Sequence, residues 1–150
     1  MRNILKLQIT TKEYKHEKAI SVDFTDNQII KWCLYLCLLK ENLIKSITLI
    51  DEKGTLKLKI KYESSLPFSY RGKVFWHQDR VELHITTNEL EYWMHFFLKY
   101  YRDGRGEVPF ISTDISANKS NTTKGLMLYF KVPKVVKPIS EEQLRRKLGF

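Results

Sequence analysis

The chain has 150 residues, is 43% hydrophobic and 13% aromatic, and contains only 6 Gly and 4 Pro, a composition that suits one domain with a buried core and excludes a disordered chain. The net charge is +9. No apolar run reaches the ~18 residues of a membrane span, and the N-terminal stretch lacks the apolar core and cleavage site of a signal peptide, so the expected location is cytoplasmic with no membrane partner.

Residues 4–9 alternate as a strand, and residues 19–24 form a second one after a charged connection. Thr25 or Asp26, with Asn27 as an alternative, then caps a helix expected to run to about Asn42 or Ile44. Cys33 and Cys37 stand four apart on it, a spacing that puts them on one face but seldom permits a disulfide. They read as small buried hydrophobes. Residues 46–50 and 55–62 form a hairpin about an Asp51-Glu52-Lys53-Gly54 turn. In its second strand Leu56, Leu58, Ile60 and Tyr62 face the core and Lys57, Lys59 and Lys61 face outward.

After a linker at 64–69, residues 73–77 and 80–85 form another hairpin, with Val81, Leu83 and Ile85 inward and Glu82 and His84 outward. An aromatic-rich helix follows, capped by Thr87 or Asn88 and stopped by Gly104 and Gly106. Strands at 107–116 and 125–132 flank a polar loop at 118–124. A basic tail, 134–150, ends in a short helix from Ser140.

The order strand-strand-helix-strand-strand thus occurs twice, in units 1–63 and 70–133. The repeat sets Trp32 against Trp93, Tyr35 against Phe96 and Leu36 against Phe97. The expected fold is a single α+β domain over residues 1–150. A tandem ββαββ repeat would give a mainly antiparallel sheet with two helices on one face, plus a short C-terminal helix.

At ~100° per residue, the second helix turns Leu90, Trp93, Met94, Phe97, Tyr100 and Tyr101 inward. Tyr92, His95, Phe96, Lys99 and Arg102 lie toward its outer side. The first helix turns Ile29, Trp32, Cys33, Leu36, Leu39 and Leu43 inward, yet its outer side carries Leu34, Tyr35 and Leu38. A helix apolar all round is usually buried on both sides. The cover over Leu34 and Leu38 is the C-terminal tail (Val135, Val136, Leu144, Leu148), a second copy of the chain, or a different protein. Candidate partner-binding residues are therefore Leu34, Tyr35, Leu38, Tyr92, His95, Phe96 and Lys99. Arg102 and Arg105 join them as an anion grip beside Gly104 and Gly106.

No Walker A, dinucleotide-binding, zincin, nucleophile-elbow or Cys-x-x-Cys motif occurs. His77 and His84 could face each other across a hairpin near Asp79, but no nucleophile or cofactor accompanies them. The expectation is a non-enzymatic chain with no catalytic residues, cofactor or metal. Nucleic acid is the rival partner. Residues 70–76 mix Tyr, Arg, Lys, Phe and Trp without the aromatic spacing of an RNA-binding strand, and the only clustered basic stretches are the tail and Lys57-Leu58-Lys59-Ile60-Lys61.

The segment Trp93-Met94-His95-Phe96-Phe97-Leu98-Lys99-Tyr100-Tyr101-Arg102-Asp103-Gly104, followed by Glu107-Val108, resembles small bacterial immunity proteins of polymorphic or contact-dependent toxin systems. That resemblance implies a compact cytosolic α+β protein that neutralises a cognate toxin by stoichiometric binding. It assigns no family binding residue to a position here. The basic charge implies an acidic toxin surface or apolar contact. The alternative function is a basic nucleic-acid-associated or regulatory protein.

Overall fold

The computed structural model describes residues 3–66, 71–103, 110–115 and 124–133, with residues 142, 145, 146 and 149 of the tail. Its elements are β1 (Ile4–Glu13), β2 (Glu17–Asp23), α1 (Asp26–Lys40), β3 (Ile47–Asp51), β4 (Lys57–Tyr62), β5 (Gly72–Trp76), β6 (Val81–Ile85), α2 (Thr87–Asp103), β7 (Phe110–Ile115) and β8 (Gly125–Lys131). The Gly104–Gly106 helix stop, most of the 118–124 loop, the second half of the 64–69 linker, and the tail contacts with the short C-terminal helix lie outside the described residues.

Local signals set the element ends. Thr25 is extended at the N-cap of α1, and its N–H donates to Gln28 Oε1 at 2.8 Å, the backward half of a capping box. At the other end Leu43 N–H reaches Leu38 O at 2.9 Å and Asn42 N–H reaches Leu39 O at 3.1 Å. This is a Schellman closure. Asn42 occupies its left-handed position with φ 57°, so α1 stops at Lys40 rather than running to Ile44. In the β3–β4 turn Gly54 has φ 71° and its N–H meets Asp51 O at 2.7 Å.

The arrangement of these elements corrects the expected fold. The sheet is mixed and nearly closed into a barrel, in the order β5-β6-β4-β3-β1-β2-β8-β7. Only the four hairpins are antiparallel. Three ladders are parallel: β1 with β3, β2 with β8 and β4 with β6. The reason is topological. A hairpin must pair antiparallel, but a helix crossover returns the chain to the end it left, so the strand that follows runs parallel to an earlier one. Eight twisted strands then curl until the sheet has no flat face on which two helices could be layered.

The two units are related by a pseudo-twofold in this order. Exchanging β1–β4 with β5–β8 regenerates the same circular sequence of strands. The registers agree: Ile20 opposite Leu128 in one unit's join matches Val81 opposite Leu58 in the other. Leu7 opposite Asp51 in the β1–β3 ladder corresponds to Gly72 and Ile115 at the two ends of the sheet. These ends approach each other, and a Cβ built on Gly72 lies 3.4 Å from Ile115 Cδ1. The same Cβ would stand 2.5 Å from the backbone oxygen of His84, so this position requires glycine.

Inward residues alternate along the strands. Leu5, Leu7, Ile20, Val22, Leu49, Leu58, Ile60, Leu83 and Leu128 are buried, as expected for a barrel too narrow for anything but side chains. Leu56 and Tyr62 are half-buried against that core. The strand ends joined by hairpins lie at one end of the barrel, and the strand ends next to α1 and α2 lie at the other.

Asn42→Gly should raise the urea midpoint by the equivalent of a few tenths to about 1 kcal/mol, because glycine occupies the left-handed region without a Cβ penalty. Asn42→Val should lower it by about 1–2 kcal/mol. Equilibrium unfolding followed by far-ultraviolet circular dichroism reads both.

Candidate functional site: the helix pair

The helices pack antiparallel. Tyr100 Oη near the end of α2 donates to Asp26 Oδ1 at the start of α1 at 3.2 Å, and Lys40 Nζ at the end of α1 lies 3.4 Å from Glu91 Oε1 at the start of α2. Between these contacts Trp32 meets Trp93 with ring centroids 6.2 Å apart and Phe97 at 5.9 Å. Burial, then the neighbouring Asp26 charge, push the Tyr100 phenol up to about 12. Burial and then Cys37 push the Cys33 thiol up to about 11. Cys33 is buried and Cys37 half-buried, and both are free thiols.

The candidate residues separate sharply by burial. Leu34 is 53% exposed, but Tyr35 is only 6% exposed. Tyr35 sits on the same flank of α1 as Gln28, whose Nε2 donates to Lys6 O of β1 at 2.7 Å, so that flank faces the sheet. Leu38 and Phe96 are half-buried against the core. Tyr92, His95, Lys99 and Arg102 are exposed, and Arg102 pairs with its neighbour Asp103 at 2.8 Å. Arg105 lies outside the described residues. Tyr101, expected inward, is 58% exposed at the edge of the inward arc, whereas Tyr100 beside it is 4% exposed. Leu43, also expected inward, lies beyond the helix stop and is exposed.

Three apolar residues missing from the candidates complete the surface. Ile30 is 52% exposed one turn before Leu34, and Leu98 and Tyr101 are exposed on α2. The antiparallel register puts Ile30 level with Leu98. The outward stripe Ile30-Leu34-Leu38 has the i, i+4, i+8 spacing of one helix face. The pseudo-twofold equivalents on α2 are Glu91, His95 and Lys99. Extending the helical wheel by one turn toward the N-terminus would have found Ile30.

Beneath the helices the two units differ in polarity. Glu89 is buried in the second unit, where it accepts from Trp93 Nε1 at 2.9 Å and from Thr113 Oγ1. Trp93 Nε1 also reaches Thr113 Oγ1 at 3.0 Å. In the first unit Gln28 stands where Glu89 would be and Leu49 where Thr113 would be. The matching Trp32 Nε1 is buried with no hydrogen-bond partner among the described residues.

Two other polar groups lie outside the helix pair. Asp51 is buried and ties β1 to the β3–β4 turn, accepting from Thr55 Oγ1 at 2.9 Å and from Ile9 N–H at 3.2 Å. The Thr55 bond, then the Ile9 bond, hold its carboxyl below the usual carboxylate range. His84 stands opposite Lys73, not His77. Its Nδ1 is 2.5 Å from Glu63 Oε1 and its Nε2 3.2 Å from Glu82 Oε2, with Phe75 against the ring at 4.7 Å. Burial pushes the Glu82 carboxyl up, but the hydrogen bonds and charges of His84 and Lys61 outweigh it and hold the group below its usual range. The carboxylates take opposite edges of the imidazole, so the three groups do not converge on a shared ligand. No group of three or more His, Cys, Asp or Glu among the described residues could hold a metal ion.

Thr113→Val removes a donor to the buried Glu89 carboxylate and should cost about 1–3 kcal/mol in unfolding free energy, measurable by urea titration. Because the folded-state value of Asp51 is depressed, its contribution to stability is complete above the unfolded value of about 3.9. It is lost as pH falls through the lower, folded value. Asp51→Asn should therefore lower the thermal midpoint at neutral pH and flatten its decline below pH ~4, read by calorimetry across that range.

A scan against protein-family models and a search of curated proteins both give no match to this chain.

Proposed function

We propose that this chain is a non-enzymatic protein-binding module whose partner docks on the outward face of the helix pair. The observation that carries this reading is the contrast between equivalent positions. α1 presents Ile30 and Leu34 to solvent, and α2 presents Glu91 and His95 in their place. Both helices bury a full inner face, so packing of the core does not require the outer apolar groups. Scattered exposed apolar residues are ordinary, whereas a contiguous patch marks an interaction surface. We take Ile30 and Leu34, with Leu98 and Tyr101 on the neighbouring helix, as such a patch; Lys31 and Lys99 are exposed on the same helices, while Arg102 is paired with Asp103 and Glu91 with Lys40. An apolar centre with a basic rim fits a partner with an apolar patch ringed by carboxylates.

The mode of action follows the likeness to small bacterial immunity proteins: stoichiometric masking of a toxin surface without chemistry. It is an acidic or apolar toxin surface that this chain would cover.

The test uses the purified product of the adjacent upstream reading frame, titrated calorimetrically with this chain. The expected result is 1:1 binding that Ile30→Glu or Leu34→Glu weakens by more than tenfold, with the unfolding midpoint little changed. Binding that survives both substitutions removes the helix face from the interface. Sedimentation of the chain alone should give a monomer. A dimer that Leu34→Glu splits would make the occupant a second copy.

A further inference from the structure

The outer wall of the barrel divides by charge, and strand pairing adds lysines from β1 and β5 to the Lys57–Lys61 run of β4. With Leu5 and Leu7 inward, β1 turns Lys6 outward, and with Leu58 and Ile60 inward, β4 turns Lys57, Lys59 and Lys61 outward. On β5, Lys73 is exposed. The registers place these side chains in adjacent rows. Lys6 lies beside Ile50, which lies beside Lys57. Lys59 lies between Thr48 and Glu82, and Lys61 lies beside His84, which lies beside Lys73. Successive lysines on β4 are about 6.7 Å apart, and Lys6 and Lys57 are two strands, about 10 Å, apart. Of these five, Lys61 pairs with Glu82 at 3.4 Å, and the others enter no ion pair among the described residues. The opposite wall, β2, β8 and β7, turns out Asp23, Asp114 and Lys131.

Two further features stand on the basic wall. A cleft of about 460 Å³ opens where β1 and β3 begin, and its polar lining is Asn3, Lys45, Ser46, Thr48 and Lys59, with no carboxylate. Phe75 ends the Lys59–Glu82 row, 42% exposed, with its inner side against His84. Because Glu63 and Glu82 fix that imidazole from both edges, Phe75 is a backed aromatic platform.

We propose that this wall binds single-stranded nucleic acid, with phosphates tracking Lys6, Lys57, Lys59 and Lys73, one phosphate entering the Lys45–Lys59 cleft, and a base stacked on Phe75. A lysine track beside an exposed ring is the pairing that sequence-tolerant single-strand binders use. Among the described residues, this wall has no protruding helix or ribbon to enter a duplex groove. Backbone tracking by point charges needs only the spacing that the pleat provides. Lys57, Lys59 and Phe75 lie on strands rather than on the helices, so substituting them tests this wall separately from the protein-docking reading.

Fluorescence anisotropy of a labelled oligothymidylate with the full chain tests this. Affinity should fall roughly fifty-fold between about 50 and about 200 mM salt if four phosphates are neutralised at ~0.7 salt-slope units each. Lys57→Gln with Lys59→Gln should reduce the slope by about 1.4. Phe75→Ala should weaken binding about tenfold with the slope unchanged. Lys131→Gln on the opposite wall should have no effect. The proposal is overturned by absence of binding at the lower salt, or by equal losses from Lys131→Gln and the Lys57/Lys59 pair. It is also overturned if polyglutamate competes as well as unlabelled oligothymidylate and Phe75→Ala is silent, which would make the wall a site for acidic protein.

Discussion

Five rings hold this structure together. Phe24, Trp32, Trp93, Phe97 and Phe130 contact one another with centroids 4.8 to 6.2 Å apart. They come from the β2–α1 junction, α1, α2 and β8, so a single cluster ties each helix to the other and to the barrel. Such pairs add roughly 0.5–1.5 kcal/mol each beyond area burial. The cluster sits at the helix-connection end, where the sheet alone would leave the mouth of the barrel open. Because it takes one tryptophan from each unit, neither helix has a complete inner face without the other.

That shared cluster leaves the units free to diverge around it. In the second unit Glu89 and Thr113 satisfy the Trp93 indole, and in the first the Trp32 indole finds no such partner among the described residues. A buried polar group without a partner carries a desolvation cost, so the first unit gives up some stability where the second does not. The divergence on the outside runs in the same sense: α1 is apolar where α2 is charged, as the first unit buries Leu49 where the second buries Thr113. A twofold framework with one apolar outer face and one basic wall presents two chemically distinct surfaces on one small protein.

Much of the local structure was legible from residue types. Gly54 marked the β3–β4 turn, Thr25 marked the start of α1, and period-two alternation placed Leu58, Ile60, Leu83 and Ile85 inward. The contrast between Leu34 and His95 was legible too, because helical angles follow from numbering alone. Tyr35 was misjudged since its angle lies at the border of the buried arc, and only the approach of β1 decides that border. Tyr101 lies at the opposite border, about 80° from Trp93; Tyr100 in the same turn is buried while Tyr101 stays exposed. Glu89 and Thr113 gave no signal, being ordinary surface types until the fold set them on either side of Trp93.

By itself the sequence determined the ten elements, their order and the inward alternation of the strands, because these depend on φ/ψ preferences, caps and periodicity within a few residues. Tertiary structure alone decided that the sheet is mixed and curls toward closure, since the partners of β1, β2 and β4 lie across helix crossovers or in the other unit. The same long-range pairings gathered Lys6, Lys57, Lys59 and Lys73 from distant parts of the chain onto one wall. A net charge spread along the sequence became local only when strand order was fixed.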